Sequence, residues 1–246
     1  MSLYDSSLLF FALAAIGITI TGISKSGFAG GSGVVAVPLL ATIMPIHHAV
    51  ILVLPLLIIM DIKTIQYFRK SVAWGDVLKV IPAAIIGIII GSFMLGAIDP
   101  NALQLWFGLL CILFASWQKL APLLGKMKGG AYLWGCISGI TSTLIHSGAP
   151  PFNIYMIARG LPKQTWLAIA GVFFFVMNCL KIIPYYLIGD WSLSLLWTSV
   201  IFIPFALFGT YLGKIMQGKI SEKTFMQLCR AFLALSGALL IYKGLV

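Results

Sequence analysis

Long apolar runs, cut by short polar, glycine-rich or proline-rich stretches, set the pattern of this chain. In the first half they occupy residues 8–23, 33–44, 49–68, 77–98 and 102–117; in the second, 131–144, 150–157, 165–188, 194–215 and 225–242. Several reach the ~18 consecutive apolar residues that read as membrane-spanning helices. The pattern predicts an all-α polytopic membrane protein. Composition agrees, since 61% of the 246 residues are apolar and only 9% charged, too little polar surface for a soluble domain.

Two runs are interrupted in the same way. Residues 22–45 read GISKSGFAGGSGVVAVPLLATIMP and residues 139–162 read GITSTLIHSGAPPFNIYMIARGLP. In the first, Gly22, Gly27, Gly30, Gly31 and Gly33 surround the lone cation Lys25, and Pro38 and Pro45 punctuate the apolar run after the glycines. The short segments after the breaks rise only about 18 and 12 Å at ~1.5 Å per residue, against a hydrocarbon core of ~30 Å. They are expected to be half-helices. Broken segments at corresponding places in two halves are the best sequence pointer to a transporter's binding site.

A shift of 117 residues superposes Gly22 on Gly139, Ile23 on Ile140, Gly31 on Gly148, Pro45 on Pro162, Met60 on Met177, Trp74 on Trp191, Leu95 on Leu212 and Gly96 on Gly213 without a gap. The shared order of break, short segment, proline and long segment predicts an internal repeat. Charge sets its sense: Arg69 and Lys70 follow residues 49–68, whereas only Asp190 follows the counterpart. The turn Asp99-Pro100-Asn101 carries no base, whereas Lys214, Lys219 and Lys223 stand at the equivalent place. No Lys or Arg lies in 44–48, whereas Arg159 and Lys163 precede residues 165–188. Under the positive-inside rule the halves are inverted. The expected architecture is an inverted repeat of about five segments each, with 8–10 transmembrane helices. Residues 1–118 form the first repeat, 119–130 a cytoplasmic linker, and 131–246 the second repeat, with both termini outside.

The net charge of +10 then reads as orientation signal at segment ends rather than a nucleic-acid surface. MSLYDSS lacks the basic start of a cleavable signal peptide, so the first run is expected to be retained. Cys111, Cys136, Cys179 and Cys229 lie in apolar runs without CxxC spacing and read as packing residues. Trp74 and Trp191 read as interfacial anchors, and His47-His48 as a solvated turn rather than a metal site.

The remaining polar residues are candidates for chemistry. The glycine loop with Gly30, Gly31 and Gly33 permits close backbone approach, and N–H groups opening the next segment can face an anion; small-residue helix packing is the competing reading. Thr141, Ser142, Thr143 and Ser147 offer hydroxyls, beside Gly148 and a double proline beginning at Pro150. Asn153 and Tyr155 line the site or bridge helices. Lys25 is costly within a bilayer unless paired or facing water, so it reads as a counter-charge or an interfacial lysine. Asn178 and Lys181 share a helical face. Their 117-residue equivalents are Asp61 and Thr64. Asp61 is a protonatable coupling residue or the counter-ion of Lys181 or Lys25, and His146 a proton relay or a packed neutral imidazole.

Three motifs together resemble the sulfite exporter TauE/SafE family, also called the toluene sulfonate uptake permease family. One is the stretch Gly27-Phe28-Ala29-Gly30-Gly31-Ser32-Gly33 running into Ala36-Val37-Pro38-Leu39-Leu40. Another is Gly148-Ala149-Pro150-Pro151-Phe152-Asn153-Ile154-Tyr155 followed by Gly160-Leu161-Pro162. The third is Phe174-Phe175-Val176-Met177-Asn178-Cys179-Leu180-Lys181. Ser26 and Ser32 stand where many members have glycine, which makes the loop more polar and tunes substrate size. The resemblance implies a bacterial or archaeal inner-membrane carrier of sulfite, sulfonates or related small anions.

The expected function is secondary transport of a small anion by alternating access, with proton coupling through Asp61 or His146 as a hypothesis; an anion channel using the same breaks as a filter is the alternative. The expected partners are the anion and the lipid bilayer, with a homo-oligomer left open. Neither a nucleophile–base pair, a metal-ligand cluster nor a nucleotide loop is discernible, so no enzyme, cofactor or metal is expected.

Overall fold

The computed structural model describes the chain except residues 1–7, 31–34, 98, 117–126, 189–190, 218, 220 and 246. Regular structure among the described residues is helical. The first half holds α1 (Leu8–Phe28), α2 (Ala36–Ala41), α3 (Ile46–Phe68), α4 (Trp74–Ala97) and α5 (Pro100–Ser116). The second holds α6 (Gly130–Ile145), α7 (Ala149–Arg159), α8 (Lys163–Leu180), α9 (Ile182–Ile188), α10 (Leu193–Ile201), α11 (Ile203–Met216) and α12 (Glu222–Leu245).

By length and composition, four stretches among the described residues are able to cross a membrane: Leu8–Phe28, Ile46–Ser71, Trp74–Leu95 and Lys163–Leu187. The bent pair α10 and α11, at 44°, makes a fifth if it is one span. That is fewer than the sequence led us to expect. The 17 residues of α5 rise only about 26 Å, and α12 carries Glu222, Lys223, Arg230 and Lys243.

Proline accounts for two interruptions the sequence reading ran through. Pro184 has no N–H and its ring clashes with the carbonyl four residues back, at Leu180; α8 stops there, leaving Lys181 at the joint before α9. Pro204 acts likewise on Val200, and the chain bends at Phe202 (φ −90°, ψ 0°).

The first break also differs from expectation. Helix α1 runs on to Phe28, so Lys25 and Ser26 are helical rather than in a loop. Its glycines serve packing: a Cβ on Gly22 would lie 2.9 Å from the Thr210 nitrogen, and one on Gly27 2.8 Å from the Gly213 oxygen. Only six residues form α2, which doubles back so that Ala36 and Leu39 face Gly17. By contrast α7, with 11 residues, exceeds the expected eight.

Contacts recur in matched sets across the chain. Gly22 packs against Ala206, Gly209 and Thr210, and Gly139 against Ala84, Gly87 and Ile88. Gly209 abuts the Thr19 carbonyl and Gly87 that of Cys136; Gly213 abuts the carbonyl of Ile23 and Gly91 that of Ile140. Gly91, rather than Gly96 as a gapless shift requires, therefore stands in the place of Gly213. In both sets residue numbers rise together, so α1 runs parallel to α11 and α4 parallel to α6. Two other helix pairs, α3 with α8 and α5 with α12, run in opposite directions instead. In α3 and α8, Asp61 meets Asn178 while Thr64 and Ile65 meet Gly171. In α5 and α12, Gly108 meets Gly237 and Leu105 meets Gly244. Both pairs are antiparallel.

The two breaks turn alike. Ala29 and His146 have left-handed φ of 52° and 54°, and each is followed by an N–H reaching back six residues, Gly30 to Ser24 (2.8 Å) and Ser147 to Thr141 (3.2 Å). Glycine takes such a φ freely at Gly30 (66°); an L residue does so at a cost. The turns meet, since a Cβ on Gly30 would lie 3.0 Å from that of Ala149.

Candidate functional site

Where the two turns meet α3 and α8, the apolar interior gives way to a cluster of buried charged and polar groups. Lys25, near the end of α1, places Nζ 2.6 Å from Asp61 Oδ1. Asn178 Nδ2 donates to Asp61 Oδ2, also at 2.6 Å. The carboxylate thus has one oxygen on an ammonium and the other on an amide, at 1% exposure. Phe174, one turn before Asn178, presents its ring 5.2 Å from the Lys25 ammonium, a cation–π contact.

A second cation lies beside the first. Lys181, fully buried at the joint made by Pro184, donates to the Ser142 carbonyl (3.1 Å), to Ser142 Oγ (2.9 Å) and to His146 Nδ1 (2.7 Å). An ammonium only donates, so Nδ1 of His146 accepts and Nε2–H donates to the Val50 carbonyl at 2.9 Å. Pro55 withholds the helix N–H from Ile51, and on either side of Ile51 the carbonyls of Val50 and Leu52 take side-chain donors from His146 and Ser199. Tyr185, one turn beyond Lys181, donates to the Thr143 carbonyl and sets its ring edge-on to His146.

Formal charge gives the cluster its character. With both lysines protonated and Asp61 ionised, Lys25 and Lys181 bring two positive charges and Asp61 one negative charge, a formal sum of one positive charge in an apolar interior. Such groups are expensive away from water unless paired.

The remaining candidates fall into three groups. Ser142 and His146 belong to the cluster, and Gly30 and Ala149 line its cavity beside Lys25, Leu57, Phe174 and Asn178. That cavity is about 10 Å³, room for roughly one water. Ser147, the residue after His146, is buried with no hydrogen-bond partner for Oγ among the described residues. Elsewhere the polar atoms are engaged in structure. Ser26 Oγ donates to the carbonyls of Thr210 (2.6 Å) and Gly22 (3.2 Å). Thr141 and Thr143 bond back along α6 to Ile137 and Gly139. Gly148 seats its carbonyl on Ser138 Oγ at 2.7 Å. Asn153 accepts from the Trp166 indole at 3.1 Å, and Tyr155 packs in the apolar cluster around Phe152 and Phe173. Gly31, Ser32 and Gly33 lie outside the described residues.

Helix N-termini contribute less than the sequence suggested. The first N–H of α2, at Ala36, is bonded to Thr21 Oγ1 (3.2 Å). In α7, Pro150 and Pro151 have no N–H, and that of Phe152 is bonded to the Gly148 carbonyl. Among the described residues that line the cavity, Lys25, Ser142 and Asn178 carry side-chain donors. Tyr185 escaped the sequence reading and Phe174 entered it only as part of a family motif, although both stand four residues from a polar group singled out there, on the same helical face.

A second cavity, of about 170 Å³, lies beyond the first turn, lined by Phe28, Ala29, Leu161, Lys163, Trp166 and Leu167. Lys163 sits 5.2 Å from the Phe28 ring. Ala29 lines this cavity and Gly30 the central one, so the left-handed turn divides them.

A family description fits this arrangement. The model for sulfite exporter TauE/SafE matches residues 13–240, nearly the whole chain. No curated protein matches the chain, and no solved structure does. With its apolar helices able to span a membrane and its charged centre, the chain belongs to the sulfite exporter TauE/SafE family of membrane transporters.

Proposed function

We propose that the protein is a secondary carrier that moves a small sulfur oxyanion, sulfite or a sulfonate, by alternating access across a bacterial or archaeal plasma membrane. The observation that carries the reading is the buried Lys25–Asp61–Asn178 cluster at the point where the two broken segments touch. The donors Lys25 and Asn178, together with the unpartnered Ser147 hydroxyl, are the groups that hold the anion. Asp61 or His146 takes up the proton that accompanies it.

The two halves are inverted repeats related by a pseudo-two-fold axis in the membrane plane. Support comes from the matched glycine contacts, the antiparallel α3–α8 and α5–α12 pairs, and the equal turns at Ala29 and His146. With both termini outside, Arg69, Lys70, Arg159, Lys163, Lys214 and Lys219 all face the cytoplasm. The cavity of Lys163 and Trp166 is then the cytoplasmic approach to the central site. A central space of about 10 Å³ supports a carrier over a continuously open pore.

The test is uptake of labelled sulfite into proteoliposomes holding the purified protein. Uptake above that of empty liposomes, abolished in Lys25→Met, is the expected result. Equal uptake by the variant would remove Lys25 from the site.

A further inference from the structure

The central cavity holds about one water, yet the donors around it are already arranged for an anion. They hold one. The carboxylate of Asp61 has Lys25 on one oxygen and Asn178 on the other, both at 2.6 Å. These are the contacts that two oxygens of a sulfite or sulfonate group would make, because carboxylate and sulfur oxyanion both present paired acceptor oxygens to convergent N–H donors.

Resting on the carrier reading above, we infer that Asp61 is a built-in competitor of the substrate: its carboxylate occupies the oxyanion position in the empty carrier, and the two exchange for Lys25 and Asn178. A dianion entering the cluster requires Asp61 to take a proton from the compartment to which the site is open, converting carboxylate to carboxylic acid. The loaded cluster is then neutral, with two ammonium groups against one dianion. A monoanion reaches neutrality with Asp61 ionised, and requires the carboxylate to turn off Lys25 toward Lys181. The titratable or charged groups around Asp61 are Lys25 from α1, His146 from the turn after α6, Cys179 from α8, and Lys181 at the α8–α9 joint. Asp61 is the carboxylate among them and the one negative charge that opposes an entering anion, so it is where the proton goes. The exchange also gives the empty carrier a way to keep Lys25 in an apolar interior, for which an unpaired charge is costly.

The experiment measures binding of sulfite to the detergent-purified protein at one pH, by calorimetry, together with thermal unfolding with and without sulfite, using chloride as control. For Asp61→Asn, which keeps the shape and removes the charge, we expect sulfite to bind at least tenfold more tightly than to wild type. The variant should unfold at lower temperature than wild type in chloride and recover most of the difference in sulfite. If wild type binds sulfite and a folded Asp61→Asn binds it no more tightly, the competition is overturned while the carrier reading stands. If neither binds sulfite, the substrate reading fails and the inference with it. A readout free of any folding defect is the infrared difference spectrum of wild type with and without sulfite. A change in the carboxylate bands, absent in Lys25→Met, supports the exchange, and an unchanged spectrum overturns it.

Discussion

Asp61 and Asn178 stand 117 residues apart in the sequence and hydrogen-bond to each other at 2.6 Å where α3 and α8 cross antiparallel. In the proposed inverted repeat, a residue in contact with its own equivalent lies on the axis relating the halves. An acid from one half and an amide from the other then meet on that axis, which carries one ionisable group. Each half supplies one lysine near it, Lys25 and Lys181, in different surroundings: one on the carboxylate, the other on Ser142 and His146.

Removing one partner of the Lys25–Asp61 pair strands the other. Lys25→Met or Asp61→Leu alone should cost about 3–5 kcal/mol, whereas the double variant Lys25→Met/Asp61→Leu should lie within a few kcal/mol of wild type, as buried ion pairs replaced by apolar residues do. Thermal unfolding in detergent reads this. A double variant as unstable as the sum of the singles would show that the pair is not coupled.

The left-handed turn at Ala29 makes a separate prediction. Ala29→Gly relieves a φ of 52° and should raise stability by about 1 kcal/mol. Ala29→Val should lower it by at least as much, because a β-branched residue tolerates that φ least. Unfolding temperatures that do not move in opposite directions would mean that the turn relaxes.

Equivalent glycines should respond alike, though unequally. A Cβ on Gly139 would come within 2.3 Å of the Ala84 oxygen, whereas on Gly22 the nearest atom is 2.9 Å away. Gly139→Ala should therefore be the more destabilising, with both in the range of about 1–3 kcal/mol for overpacking. Expression and unfolding temperature of the two variants check the order.

Lys163 should matter from one side only. In the proposed orientation it attracts anions to the cytoplasmic cavity of about 170 Å³. Lys163→Glu should raise the KM for sulfite presented from that side by roughly tenfold at low salt, an effect that salt screens. Sidedness is read by comparing inside-out with right-side-out vesicles. An equal change on both sides would place Lys163 elsewhere in the transport path.

The breaks and the ionisable residues were legible in the sequence because charge and glycine are conspicuous in an apolar chain. Lys25, Asp61, Asn178, Lys181 and His146 all converge on one centre. Their pairing was not legible, since Asp61 had two lysines to choose from and only the crossing of α1, α3 and α8 decides between them. Gly27 looked like a loop residue but, like Gly22, serves close helix packing, the competing reading that uses the same residue type. The joint at Lys181 arises from Pro184, three residues on, a signal that an unbroken apolar run masks. The hydroxyls of Ser26, Thr141 and Thr143 turned out to serve helix carbonyls, the usual fate of serine and threonine in such helices.

Counterflow tests the central claim most directly. Proteoliposomes loaded with unlabelled sulfite are diluted into a trace of labelled sulfite. The account predicts a transient overshoot of label above equilibrium in wild type, absent in Lys25→Met, because one alternating site must exchange the two pools. Rapid equilibration without overshoot, accompanied by large unitary anion currents across a planar bilayer, would contradict it and make the protein a channel.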